Sequence, residues 1–306
     1  MPHDHSAHGV SSGDHDGHGG ERGLTLAVAI NVLLTVAQII GGIFSGSVAL
    51  IADAVHNLSD AVALIIAFAA RRVARRPSSG AMSFGYGRAE VVAALVNYTV
   101  LVVISVWLAA EAVQRIVDPP AVTGGIVMAL AGVALVIDLA TALLTWRLSR
   151  ESTNIRAAFL HNLADAGSSV AVLLGGVLIW LYGWHWADPA ITLAISGWIL
   201  WHALSEVGPV IRILMLGAPS ESEAEAVRRL IEAEAGVEGV HHLHVWQMDE
   251  HRTSVEAHLV LAEGADGAEA VRRVKARVAE VFGIRHATFE TETRVSGCAG
   301  TGCRLG

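Results

Sequence analysis

VALIADAVHNLSDAVALIIAFAA, residues 48–70, is apolar over more than the roughly 20 residues a helix needs to cross a bilayer, yet it carries His56 and Asp60. A second stretch, AAFLHNLADAGSSVAVLL at 157–174, repeats the pattern with His161 and Asp165. Residues four apart share one helix face, so each pair presents an imidazole and a carboxylate together. An ionisable side chain inside a membrane span costs about 2.5 kcal/mol or more, so it is read as functional by default. Two imidazoles and two carboxylates make a full tetrahedral donor set for Zn²⁺. Interhelical hydrogen bonding is the structural alternative, but it does not explain a matched repeat.

Four further apolar blocks accompany these two, giving spans at 24–44, 48–70, 89–117, 122–146, 155–183 and 187–215. The composition agrees: 53% of residues are hydrophobic, 16% are charged and the mean hydropathy is +0.51, outside the range of ordinary soluble domains. The first span follows a His/Asp/Gly stretch instead of a basic segment and lacks a small-residue cleavage pattern, so it is not read as a cleavable signal. Arg71, Arg72, Arg75, Arg76 and Arg88 flank the second connection, and Arg147, Arg150 and Arg156 flank the fourth. The other three connections hold no Lys or Arg, although Arg115 lies just before one of them. The positive-inside rule then puts both termini in the cytoplasm of a multi-pass cell-membrane protein, in the inner membrane if the cell is Gram-negative.

Depth follows from helical rise. His56 and Asp60 should lie roughly 12 and 18 Å below the outer face at about 1.5 Å per residue. His161 and Asp165, entered from inside, fall roughly 21 and 15 Å from that same face in a core of about 30 Å. The sets overlap near the midplane, so one ion can touch all four. With both Asp ionised the empty site holds −2, which either Zn²⁺ or two protons on the imidazoles cancels, so metal and protons compete. The expectation is export of one Zn²⁺ for one or two incoming protons by alternating access. Asp53, three residues before His56, is expected to orient a ligand from behind. Asn31, Gln38, Asn97 and Asp138 are read as packing or hydrogen-bonding groups.

Residues 1–22 form a His-rich stretch, with His3, His5, His8, His15 and His18 interleaved with Asp4, Asp14 and Asp16, read as a disordered cytoplasmic tail suited to loose metal capture. Residues 23–216 form the six-helix membrane domain. Residues 217–296 change character to α-β-β-α-β: helices at Glu221–Ala235 and Ala268–Phe282, strands at Val240–Met248, Thr253–Leu261 and Ala287–Val295. Strand alternation predicts His242 and His244 on the face opposite His241 and Val245. Residues 297–306 hold Cys298 and Cys303, which in a cytoplasmic tail are not expected to form a structural disulfide. From 218 to 296 the chain carries nine basic and fifteen acidic residues, a balance that attracts cations and argues against a nucleic-acid partner.

GSVALIADAVHNLSD, SFGYGRAE at the start of the third span, AAFLHNLADAGSSVAVL, VHHLHVW, EAHLVL and HATFETE together resemble the cation diffusion facilitator family, in its zinc-transporter branch. The resemblance covers nearly the whole chain apart from its tails. It implies a homodimer of six-span subunits, each with an α+β ferredoxin-like cytoplasmic domain, that exports divalent metal by proton exchange. It places the transport site on His56, Asp60, His161 and Asp165, with His at the first position as in zinc-preferring members; Asp there accompanies acceptance of Cd²⁺. It assigns zinc in the cytoplasmic domain to His241, His258, His286 and Glu292. The metal site that some members carry before the third span needs His and Asp, which SSGAMSFGYGRAE lacks. A His found in relatives' last helix is also missing from Ala268–Phe282, so one cytoplasmic metal is expected, not two. The Cys pair resembles a zinc-binding tail pair in some animal relatives. The alternatives are transport preferring Co²⁺, Cd²⁺ or Ni²⁺, a membrane metalloenzyme, and a metal sensor. Neither H-E-x-x-H nor H-x-E…C-x-x-C occurs, which counts against the enzyme.

Overall fold

The computed structural model describes residues 17–148 and 153–293, with the side chains of 17–30, 64, 144, 145, 147, 148, 153–158 and 161 excepted. The side chains of the N-terminal histidines and of His161, the 149–152 connection and the Cys298/Cys303 pair therefore lie outside what is described. Six long helices come first: α1 Gly17–Ser45, α2 Val48–Ala74, α3 Ala89–Val117, α4 Gly124–Leu148, α5 Thr153–Tyr182 and α6 Ala187–Leu214. Helices α2 to α6 are each long and apolar enough to cross a membrane; α1 contributes the apolar stretch Asn31–Ser45 among its described side chains. Leu33, Phe44, Phe68, Val117 and Val136 stand at least two-thirds exposed on these helices, which suits lipid as the surrounding solvent. α1 begins at Gly17, inside the stretch expected to be tail.

The chain divides into two compact units, one running to Val62 and including Ile104–Ile199, the other comprising Ala63–Val103 and the chain from Leu200 onward. In the first, α4 and α5 approach closely because small residues line the contact. A Cβ on Gly124 would sit 2.7 Å from the Gly176 carbonyl oxygen, so only glycine fits there. The start of α2 is capped twice. Ser47 Oγ accepts from Leu50 N at 3.0 Å, while the Asp188 carboxylate of α6 accepts from Val48 N at 2.9 Å and pairs with the Ser47 hydroxyl. A carboxylate at a helix N-terminus satisfies orphan N–H groups and complements the dipole. Asp188→Ala is therefore expected to destabilise the helical unit by about 1–2 kcal/mol, read as a lowered thermal midpoint of the purified protein; an unchanged midpoint would mean the cap is dispensable.

Arg115, the cation out of place in the positive-inside pattern, donates to Glu111 at 2.8 Å and to the Gly46 carbonyl at 2.7 Å. Its charge is thus held by a carboxylate and by the C-terminal end of α1. Tyr182, Trp184 and Trp186 stack at the α5–α6 connection with ring centres 5.5 and 5.7 Å apart, an aromatic cluster of the kind that sits at a membrane interface.

In the second unit, α7 Glu221–Glu232, β1 Val237–Gln247, β2 Thr253–Leu261, α8 Gly267–Phe282 and β3 His286–Glu292 build the small α+β domain. The sheet order is β1-β2-β3, with β1 and β2 antiparallel and β2 and β3 parallel, joined by α8. Ser220 caps α7, Asp266 caps α8, and Gly283 ends α8 at φ 69°. Val227, Ile231, Val255, Leu259, Val274 and Val278 pack one sheet face against both helices. The SFGYGRAE segment meets the β1–β2 loop. Arg88 donates to the Met248 carbonyl at 3.0 Å, and a Cβ on Gly87 would lie 2.4 Å from Asp249 Oδ2. Burial pushes the Asp249 carboxyl up, but the Arg252 guanidinium and the His251 and Arg252 amides outweigh it and hold the group below the ordinary carboxylate range.

Candidate metal centre

α2 presents His56 and Asp60 on one face because four residues make about one turn. α5 brings Asp165 to them. His56 Nε2 lies 3.3 Å from Asp165 Oδ1 and 3.8 Å from Asp60 Oδ2, and one ligand atom from each of the three falls within 4.8 Å of the others. The three side chains are 19, 34 and 11% exposed, so the group is partly withdrawn from solvent but reachable. His161 lies one turn before Asp165 on α5, its side chain outside the described residues. A cavity of about 420 Å³ opens beside His56 and is lined by Ala164, Ser168, Ile195 and Trp198.

Asp53 does not join the three. It is fully buried, accepts from Gln38 Nε2 at 2.8 Å and pairs with the Ser168 hydroxyl, which also lies 2.9 Å from the Asp165 carbonyl oxygen. It therefore ties α1, α2 and α5 together directly behind Asp165. Asp138 is satisfied similarly, accepting from Ser169 Oγ at 2.8 Å. Sequence reading could not pair Gln38 or Ser168 with Asp53, because the partners come from three helices.

A second group lies on the outer face of the sheet. His258 Nδ1 donates to Glu292 Oε1 at 2.6 Å, and His241 Nε2 lies 3.1 Å from Glu292 Oε2. Ligand atoms of these three also fall within 4.8 Å of one another, and Glu292 is only 7% exposed. Two imidazoles and a carboxylate fit a borderline divalent metal such as zinc, with one position left for another donor. His286, expected in the same set, is separated from it. It pairs with Ser254, four residues along β2 from His258 and so about 13 Å away at 3.3 Å per residue, and its ring packs on Phe84. The alternation expected for β1 also fails. Val240 and Val245 are both in the core although five residues apart, so β1 bulges between His241 and His244, and Val245 does not share a face with His241.

Long apolar helices with ionisable side chains gathered among them define an integral membrane protein of a kind suited to ion transport. The model of the cation efflux transmembrane domain matches residues 24–215, and that of the cation efflux protein cytoplasmic domain matches 219–293. The chain belongs to the cation efflux family, the cation diffusion facilitators, and is a divalent metal cation efflux transporter. It is 34% identical to the metal cation efflux system protein CzcD of Cupriavidus metallidurans over 92% of this chain and 89% of that one. It is 33% identical to the zinc transporter ZitB of Escherichia coli over 100% and 96%. To the cadmium, cobalt and zinc/H(+)-K(+) antiporter of Bacillus subtilis it is 31% identical over 84% of each.

Proposed function

We propose that the chain exports Zn²⁺ from the cytoplasm in exchange for protons, carrying the ion between His56, Asp60, His161 and Asp165 by alternating access. The observation behind this reading is the convergence of His56, Asp60 and Asp165 from two helices within reach of one ion. His161, one turn from Asp165, supplies the fourth donor. Nitrogen and carboxylate ligands at equal count suit zinc, and Mg²⁺ or Ca²⁺ poorly. The zinc transporter ZitB among the relatives supports the same cargo, while the printed name of the Bacillus subtilis cadmium, cobalt and zinc/H(+)-K(+) antiporter keeps cadmium and cobalt as the second reading.

The chain sits in the cell membrane with both termini cytoplasmic, as the arginine placement supports, and works as a homodimer, as the match to the family's cytoplasmic domain supports. His241, His258 and Glu292 hold a resident zinc in that domain, fixing the relation of β1, β2 and β3. The test is metal uptake by inside-out vesicles across Zn²⁺, Cd²⁺, Co²⁺ and Ni²⁺ at a fixed proton gradient. Zinc should accumulate fastest at low micromolar metal. Equal or faster cadmium or cobalt uptake would transfer the assignment to the second reading, and no uptake of any ion would remove both.

A further inference from the structure

We propose that His242 is a ligand of the cytoplasmic metal, completing a four-donor site with His241, His258 and Glu292. This rests on reading those three residues as a metal centre. In a regular strand His242 would point away from His241, into the core side of the sheet. Instead its backbone is left-handed, at φ 50°, within the bulge of β1. A non-glycine residue in that region is uncommon, and bulges re-aim side chains beside functional sites. The result is that His242 stands on the outer face with the other two imidazoles.

The ring spacing is close to what a shared ion requires, although His242 is not among the three residues whose ligand atoms fall within 4.8 Å of one another. With Zn–N bonds of about 2.0–2.1 Å and a tetrahedral angle at the metal, the centres of two coordinating imidazoles lie about 5 Å apart. The observed separations are 4.9 Å for His242 and His258, 5.3 Å for His241 and His258, and 5.8 Å for His241 and His242. His244 does not belong: it is exposed, pairs across the sheet with Glu256, and its ring is 6.2 Å from that of His242. His242 now leans on the face of His258, and ligation would require a side-chain rotation that turns one of its nitrogens toward the other three donors. Three nitrogens and one carboxylate oxygen suit Zn²⁺ or Co²⁺.

The experiment uses the full-length protein in detergent, with Asp60→Ala and Asp165→Ala removing the transport site, the five histidines of residues 1–22 changed to Asn and Cys298 and Cys303 changed to Ser so that the tails do not bind the probe, and Co²⁺ as the probe. Tetrahedral Co²⁺ is recognised by its intense visible absorption, and its affinity is read by titration. His242→Asn is the decisive variant because Asn tolerates the left-handed backbone and so keeps the bulge. It should weaken Co²⁺ binding by at least about tenfold and lower the tetrahedral band, while leaving the metal-free thermal midpoint unchanged; His244→Ala should change neither. Undiminished affinity and an unchanged spectrum in His242→Asn, with binding lost in His258→Ala, would overturn the assignment of His242 and leave the three-residue centre standing. Binding that survives His241→Ala, His258→Ala and Glu292→Ala alike would remove the centre itself, and His242 with it.

Discussion

Asp165→Ala is expected to cut zinc efflux by about 100- to 4,000-fold at low metal while the protein still purifies folded. The carboxylate is the described link between α5 and the α2 pair, 3.3 Å from His56 Nε2 and nearly buried. Removing it takes one donor from the ion and changes the empty-site charge from −2 to −1, so a bound Zn²⁺ would carry an uncompensated positive charge among apolar helices. Stripping one partner from a buried charge pair costs about 3–5 kcal/mol, which is about 100- to 4,000-fold in affinity. Asp165→Asn keeps the shape and loses the charge, so it should fail almost equally. Asp138→Asn sits on α4 against Ser169 and outside the three-residue group, so it should be far milder. The check is ⁶⁵Zn uptake by inside-out vesicles containing matched amounts of each variant. Transport retained by Asp165→Ala would strike that residue from the ligand set.

The sequence made the helices readable because lipid allows only long apolar runs. Expected and observed α3 coincide at 89–117, and α2 differs only by running past Arg71 and Arg72 to Ala74, where basic groups favour a helix C-terminus. His56, Asp60 and Asp165 stood out because ionisable groups are rare in such runs. What stayed hidden depends on other elements. Asp53 as the junction between Gln38 and Ser168 requires knowing that α1, α2 and α5 meet. His286 could be assigned to the cytoplasmic group only by family likeness; the register of β3 on β2, which no local pattern encodes, carries it to Ser254. His242 had a legible signal that alternation overrode: Val240 and Val245 cannot both face the core at an odd spacing unless one residue between them is extra.

Collapsing the proton gradient should lower zinc accumulation in inside-out vesicles by about tenfold per pH unit if one proton is exchanged, and by about 100-fold if two are. The sign follows from competition at a single site. An imidazole with a reference pKa near 6.5 binds either a proton or the metal. Zinc therefore loads best from the less acidic cytoplasmic face and is displaced at the more acidic outer face. In inside-out vesicles the lumen is that outer face, so an acid lumen drives uptake and an alkaline lumen opposes it. The two stoichiometries also differ in charge. Exchange of Zn²⁺ for two protons moves no net charge and ignores membrane potential. Exchange for one proton moves one charge outward and is hindered by a cytoplasm-negative potential, by about 2.3 kcal/mol at 100 mV. Measuring ⁶⁵Zn accumulation at two pH gradients, each with and without a clamped potential, separates these cases. Uptake indifferent to both gradients would show that the imidazole–carboxylate site carries metal without exchanging it for protons.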